Sequence, residues 1–309
     1  MKTRNVTANR LSRPVRRRAF TITELLIVVG IIALLISILT PSLVNVKKIA
    51  RSAKTAGLIK GIGDGLEMFH ADHVVGGDYP PSFWRAPVRD YNPYEADNQP
   101  DDPNTKSPYN AQGAQTLVWG LAGADLQGTP GFNGLMADLY RLDNARRPLT
   151  SRRDPFVDIT KTPIRKPDAS TMRIDAVTRA KAYLPVIMDD FDMPLLYYKA
   201  RADSASDPLN IYNPADASFV NDNRAFIEGL SSNASQVHPL ANTRLYHDDN
   251  LKLNLTAFQK YIRNVQVPNA YRPHNPDTFL LISAGPDQLY GTDDDVTNFP
   301  LNIYNYGSY

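Results

Sequence analysis

The 309-residue chain contains no cysteine. Disulfides, thiolate metal centres and cysteine nucleophiles are therefore excluded together, and any extra stabilisation outside the cytoplasm must come from packing or from a hard metal ion. Acidic residues are missing from the start of the chain. Positions 1–19 hold seven Lys/Arg and no Asp/Glu, and Glu24 is the first carboxylate. From Leu25 to Leu39 there is no charge of either sign. A Gly-x-Ser-x-Gly nucleophile motif is absent, and no internal repeat is visible. The net charge of +2 conceals an asymmetry, because positions 20–309 carry 27 basic against 32 acidic residues, or −5. A mildly acidic body behind a basic leader has no nucleic-acid signature; the leader's charge serves topology.

What the chain does have is an apolar run. Phe20 to Pro41 supplies about 20 predominantly apolar residues, which at 1.5 Å per residue span a hydrocarbon core of about 30 Å. The arginines Arg16, Arg17 and Arg18 favour a cytoplasmic N-terminus and an exported remainder. A secretory signal peptide fits less well, since the run is long, ends in Thr40-Pro41 and continues into a helical pattern of Val44, Ile49, Ala53, Ala56 and Leu58. A plain membrane anchor remains open on these residues alone. Glu24 sits at the start of the span, where a charge costs roughly 2.5–3.5 kcal/mol. It requires a compensating partner or must snorkel to the membrane surface.

The basic leader, small Ala19, then Phe20, Thr21, Glu24 and an apolar helix together resemble the N-terminus of type IV prepilins and type II secretion pseudopilins. The resemblance implies cleavage between Ala19 and Phe20 by a cytoplasmic-side prepilin peptidase, with methylation of the new amine. It also makes Glu24 an assembly residue, its carboxylate meeting the N-terminal amine of a neighbouring subunit in low dielectric. Pro41 stands where the family usually carries a proline. Ala19 replaces the usual Gly, and Thr23 stands where an aliphatic residue is common.

The apolar helix is expected to continue to about His73, with Lys47, Lys48, Arg51, Lys54 and Lys60 on its polar half. Leu58, Ile62, Leu66 and Phe69 recur at helical spacing and should face a globular domain. Gly57, Gly61, Gly63 and Gly65 weaken the helix and read as small residues for close packing or bending, since no strand precedes them and no Lys-Ser/Thr follows as a phosphate loop requires. Residues 82–180 are rich in Pro, Asn and Asp, with helices expected at Ala114–Leu126 and Leu135–Leu142. Strands are expected at Ala182–Met188, Leu195–Lys199 and Thr278–Ser283. Between the last two lies a loose segment to about Asn275, with a short helix near Thr256–Arg263.

The second informative stretch runs from Ser283 to Asn298 and packs Asp287, Asp293, Asp294 and Asp295 into nine residues. Carboxylates that close repel one another unless solvated or bridged by a cation. Gly285-Pro286 and Gly291 let the backbone curl, and oxygen ligands on a flexible loop suit calcium over magnesium. Spacing alone leaves a calcium site and a solvated Asx-type turn both open, and the pattern is not an EF-hand. The stretch resembles the calcium loop of major type II pseudopilins. That resemblance implies Asp287 and Asp294 as side-chain ligands, Asp295 binding directly or through water, carbonyls from Ala284, Leu289 and Thr292, and Asp293 as a solvated neighbour. The segment from Asp190 to Tyr198 is loosely similar to that family's Asp-x-Trp-Gly-x-Pro-Tyr motif, with Phe191 in place of Trp.

Other constellations are weaker. His70 and His73 have metal-compatible spacing without the Glu of a zinc protease. The Tyr246–Asp249 stretch lacks a nucleophile and reads as a polar loop, and Arg141, Arg146, Arg147, Arg152 and Arg153 read as a solvated face.

The expected fold is α+β and pilin-like: a long N-terminal transmembrane and amphipathic helix packed on a small antiparallel sheet, with large loop-rich insertions at about 82–188 and 200–276. The expected divisions are a leader at 1–19, a membrane helix at 20–41, its exported continuation at 42–78, and a globular domain at 79–309 with the calcium loop at 284–298. The function this implies is a non-enzymatic pseudopilin subunit of the bacterial inner membrane that enters a periplasmic pseudopilus for type II secretion. Its partners would be itself, other pseudopilins, the prepilin peptidase and the inner-membrane secretion platform. A minor or adhesive pilin is one alternative, and a membrane-anchored exported enzyme another.

Overall fold

The computed structural model describes residues 21–75, 77–85, 110–123, 126–132, 151–166, 185–201, 207–212, 223–227, 238–242 and 244–301. Helix α1 runs from Ile22 to Ala71 with Pro41 inside it. Proline has no N–H to donate, so the turn beneath it loses a hydrogen bond. Beside that turn the Ser37 and Thr40 hydroxyls bond back to the carbonyls of Leu34 and Ile36, at 2.7 and 2.8 Å. The helix stops two residues short of His73 because Asp72 turns the chain. Its Oδ1 accepts from the backbone N–H groups of Val74 and Val75 at 2.8 and 3.1 Å.

The chain forms two compact units, Met1–Lys48 and Ile49–Tyr309. In the first, every described residue is exposed, apolar side chains included. In the second, α1 buries Thr55, Ile59, Ile62, Gly65, Leu66 and Phe69 at the 3–4-residue spacing of one helix face. Of the expected stripe, Leu58 is only partly buried and Ile59 joins it. A Cβ at Gly65 would lie 2.9 Å from Val157 Cγ1, so close packing does need glycine there, whereas Gly57 and Gly61 meet nothing within 4 Å.

Downstream come β1 (Phe83–Arg85), β2 (Asn110–Gln112), α2 (Gly113–Ala122), β3 (Ile164–Arg165), β4 (Val186–Ile187), β5 (Leu196–Lys199), α3 (Arg224–Ile227), β6 (Tyr246–Asp248), β7 (Leu253–Leu255), α4 (Ala257–Tyr261), β8 (Phe279–Ser283) and β9 (Val296–Thr297). The central sheet has the order β5-β8-β9 and is antiparallel, and β1-β2, β3-β4 and β6-β7 are antiparallel pairs. The fold is therefore an α+β mixture of one long helix and small antiparallel sheets. The helix expected at 114–126 ends at Ala122, where Gly123 takes φ +83. The helix expected at 135–142 lies outside the described residues, as do residues 182–184 of the first expected strand.

Both faces of the central sheet are covered. Tyr197, Phe279 and Leu281 pack with Ile62, Leu66 and Phe69 of α1 and with Leu117 and Leu121 of α2. On the other face Leu196, Tyr198, Leu280 and Ile282 pack with Ile211, Tyr212, Phe226, Leu240 and Phe258. Strand β8 therefore reads as an unbroken apolar run, because neither face meets water. Eight of the twenty buried residues of the second core come from 207–262, where a loose segment was expected. That segment also carries the β6-β7 hairpin and α4, the latter opened by Thr256 and Gln259 in a capping box.

Candidate cation loop and N-terminal carboxylate

The loop after β8 brings Asp287, Asp294 and Asp295 together, with one carboxylate oxygen of each within 4.8 Å of the others. Ala284 is buried and opens a 3-10 turn at Gly285–Asp287. Gly285 takes φ +60, and a Cβ there would stand 2.1 Å from the Asp294 carbonyl oxygen. Only glycine lets the two ends of the loop close so tightly. Leu289 N–H donates to Asp287 Oδ1 at 2.8 Å, and the Thr292 hydroxyl donates to Asp294 Oδ1 at 2.8 Å and meets the Leu289 carbonyl at 3.2 Å. Asp293 is exposed.

Asp295 is the buried member, 6% exposed. Its Oδ2 accepts from the Tyr261 hydroxyl at 2.6 Å and from Gly291 N–H at 2.7 Å, whereas Oδ1 has the Thr292 hydroxyl at 3.4 Å. Burial, followed by repulsion from Asp287 and Asp294, holds its carboxyl well above the usual range. Burial and the Asp294 charge push Asp287 up to about 6. A divalent cation would relieve this concentration of like charge, and the all-oxygen donor set suits a hard one. Asp287, Asp294 and Asp295 thus form an all-oxygen cluster of the kind a hard divalent cation such as calcium accepts, and Ala284, Leu289 and Thr292 lie on the same loop.

The start of the loop is tied to the turn before β5. Asp189 is buried; its Oδ1 accepts from the N–H groups of Phe191 and Met193, both at 2.8 Å, and its Oδ2 from the Ser283 hydroxyl at 2.6 Å. Ser283 Oγ in turn accepts from Gly285 N–H at 3.2 Å. Next to it, Asp190 pairs with Lys54 of α1 and lies 3.9 Å from Arg51. The motif noted at Asp190 thus has its buried anchor one residue earlier, which spacing alone did not disclose. Asp192 takes φ +65, a left-handed conformation that favours glycine.

At the other end of the chain, Ala19 and Phe20 lie outside the described residues. Glu24 is exposed, and its Oε2 accepts from Thr21 N–H at 2.9 Å and from the Thr21 hydroxyl at 2.8 Å; Thr21 Oγ1 accepts from Glu24 N–H at 3.2 Å. This reciprocal capping box also gives the carboxylate a helix-starting role. Helix α1 is long and apolar enough to cross a membrane.

The helix ends between His70 and His73, and His70 stacks on Tyr79 at 4.5 Å. His247 is not in a loop but on β6, bonded to Asn254 at 3.0 Å and 3.7 Å from Asp249. Asp248 faces the other way, paired with Arg263. Arg153 pairs with Asp72 at 3.0 Å. No family model, curated protein or solved structure matches the chain.

Proposed function

We propose that the chain is a pilin-like structural subunit, a pseudopilin of a type II secretion apparatus or related filament. It is cut between Ala19 and Phe20 by a prepilin peptidase, held in the bacterial inner membrane by α1, and assembled with copies of itself and other pseudopilins on the inner-membrane secretion platform. The observation that carries the reading is the double character of α1. One uninterrupted helix is uncharged and exposed from Leu25 to Val46, then buries a stripe against an antiparallel sheet from Thr55 to Phe69. A subunit anchored by one half and folded around the other needs that arrangement. Glu24, alone in the apolar stretch, supports a pairing with a neighbouring subunit's amine once the leader is gone.

Calcium is part of the proposal. Asp287, Asp294 and Asp295 would hold it, and its charge would offset their repulsion and favour the folded subunit by binding linkage. The left-handed Asp192, which follows Phe191 where the related motif has glycine, supports the same family. A minor or adhesive pilin is the second reading, and the size of the segments at about 82–188 and 200–276 favours it. The deciding experiment is mass spectrometry of the mature protein from its own cells. An N-methylated Phe20 is expected, and a chain that keeps residues 1–19 overturns the reading.

A further inference from the structure

Residues 238–261 hold the acidic loop from one side, in addition to the bonds that Ser283 makes to Asp189, Gln288 to the Phe191 carbonyl and Tyr290 to the Pro194 carbonyl. Three hydrogen bonds cross between this stretch and the loop. His238, 1% exposed, accepts Tyr290 N–H on Nδ1 at 3.2 Å. Leu240 N–H donates to the Tyr290 carbonyl at 3.0 Å. The Tyr261 hydroxyl donates to Asp295 Oδ2 at 2.6 Å. Leu240 also packs directly on the loop backbone, since a Cβ on Gly291 would meet Leu240 N at 2.7 Å. This stretch lies in the large insertion at about 200–276.

Resting on the calcium reading above, we propose that Tyr261 and His238 are positioning residues for the cation. Together they hold the 290–295 backbone and present Asp295 as a one-oxygen donor. Oδ2 of Asp295 is occupied by two short bonds, from Tyr261 and Gly291, so Oδ1 is the oxygen left facing Thr292. A buried carboxylate with both oxygens free would rotate and bind less selectively. Groups that orient a ligand from behind typically change metal affinity by about 10–100-fold when removed. Tyr261 can lose its hydroxyl without losing its ring packing, which sits edge-on to Phe299 at 5.9 Å.

The test is calorimetric titration of the full chain in detergent micelles with calcium chloride, alongside melting in chelator. Tyr261→Phe is expected to weaken calcium binding by about tenfold or more, with no greater loss of Tm in chelator than Tyr271→Phe shows. Tyr271→Phe deletes a comparable hydroxyl bond, to the Gln259 carbonyl at 3.1 Å, and should leave affinity unchanged. His238→Leu removes the acceptor for Tyr290 N–H and should weaken binding, whereas His238→Asn supplies another acceptor and should restore it. These two variants decide the matter if Tyr261→Phe does not fold. If wild type binds and both Tyr261→Phe and His238→Leu bind equally well, the positioning role is overturned and the calcium site stands. Equal losses in Tyr261→Phe and Tyr271→Phe also overturn it. A wild type that takes up no calcium overturns the site itself.

Discussion

At the residue scale, Glu24 has one role the structure shows, capping α1, and one proposed here, pairing with a neighbour's amine. Its bond to Thr21 needs an acceptor oxygen, whereas pairing with an amine needs a charge. Glutamine keeps the first and removes the second. Glu24→Gln is therefore expected to insert normally and fail to enter filaments, measured by cross-linking of neighbouring subunits in membranes. Thr21→Ala should cost about 1 kcal/mol of capping and leave assembly in place. Filaments built from Glu24→Gln would remove the charge-pairing idea. A second residue-scale effect belongs to Asp287, pushed up from 3.8 to about 6 on folding. A carboxyl raised in this way favours the folded state below about pH 4 and withdraws that contribution as pH rises through about 6. In chelator, Asp287→Asn should thus raise Tm at pH 7 by about 2 °C, with the gain gone by pH 4. His238, which burial holds down at about 4, runs in the opposite direction across much of that window, so variant and wild type are compared at each pH. With calcium present the sign reverses, because the variant has lost a ligand.

At the element scale, the β6-β7 hairpin rests on one buried pair. The side chains of Arg263 and Asp248 are 6% and 10% exposed. Asp248 Oδ1 also accepts Asn250 and Leu251 N–H in the turn, at 3.1 and 3.0 Å. Arg263→Met strands the carboxylate and should lower stability by about 3 kcal/mol, read as a shifted urea midpoint. Adding Asp248→Asn should recover much of that, since asparagine still accepts from the turn. This hairpin also illustrates what the sequence could not disclose. Tyr246, His247 and Asp248 carry no alternation of apolar and polar residues, and their pairing depends on a partner at 263. Helix α1 and strand β8 were legible because their signals are local, a long uncharged run and a short buried one. The acidic loop was legible for the same reason, with its carboxylates crowded into nine residues. Tyr261 and Asp189 were not, because each reaches the loop from a distant part of the chain.

At the scale of the whole molecule, the two units make different demands on the same helix. Leu34 is 61% exposed in the first unit and Leu66 is wholly buried in the second. The second unit should therefore set the cooperative melting of the detergent-solubilised protein, with the apolar segment contributing little. Leu66→Ala removes a side chain that packs against α2 and the central sheet, and deletions of this kind cost about 2–5 kcal/mol. For a unit of this size that lowers Tm by roughly 10 °C. Leu34→Ala should leave Tm unchanged within about 1 °C, because among the described residues its side chain is exposed. Circular dichroism at 222 nm reads both. A Leu34→Ala protein that melts as early as Leu66→Ala would mean that the apolar segment packs within the folded body, and the anchor role assigned to it would fall.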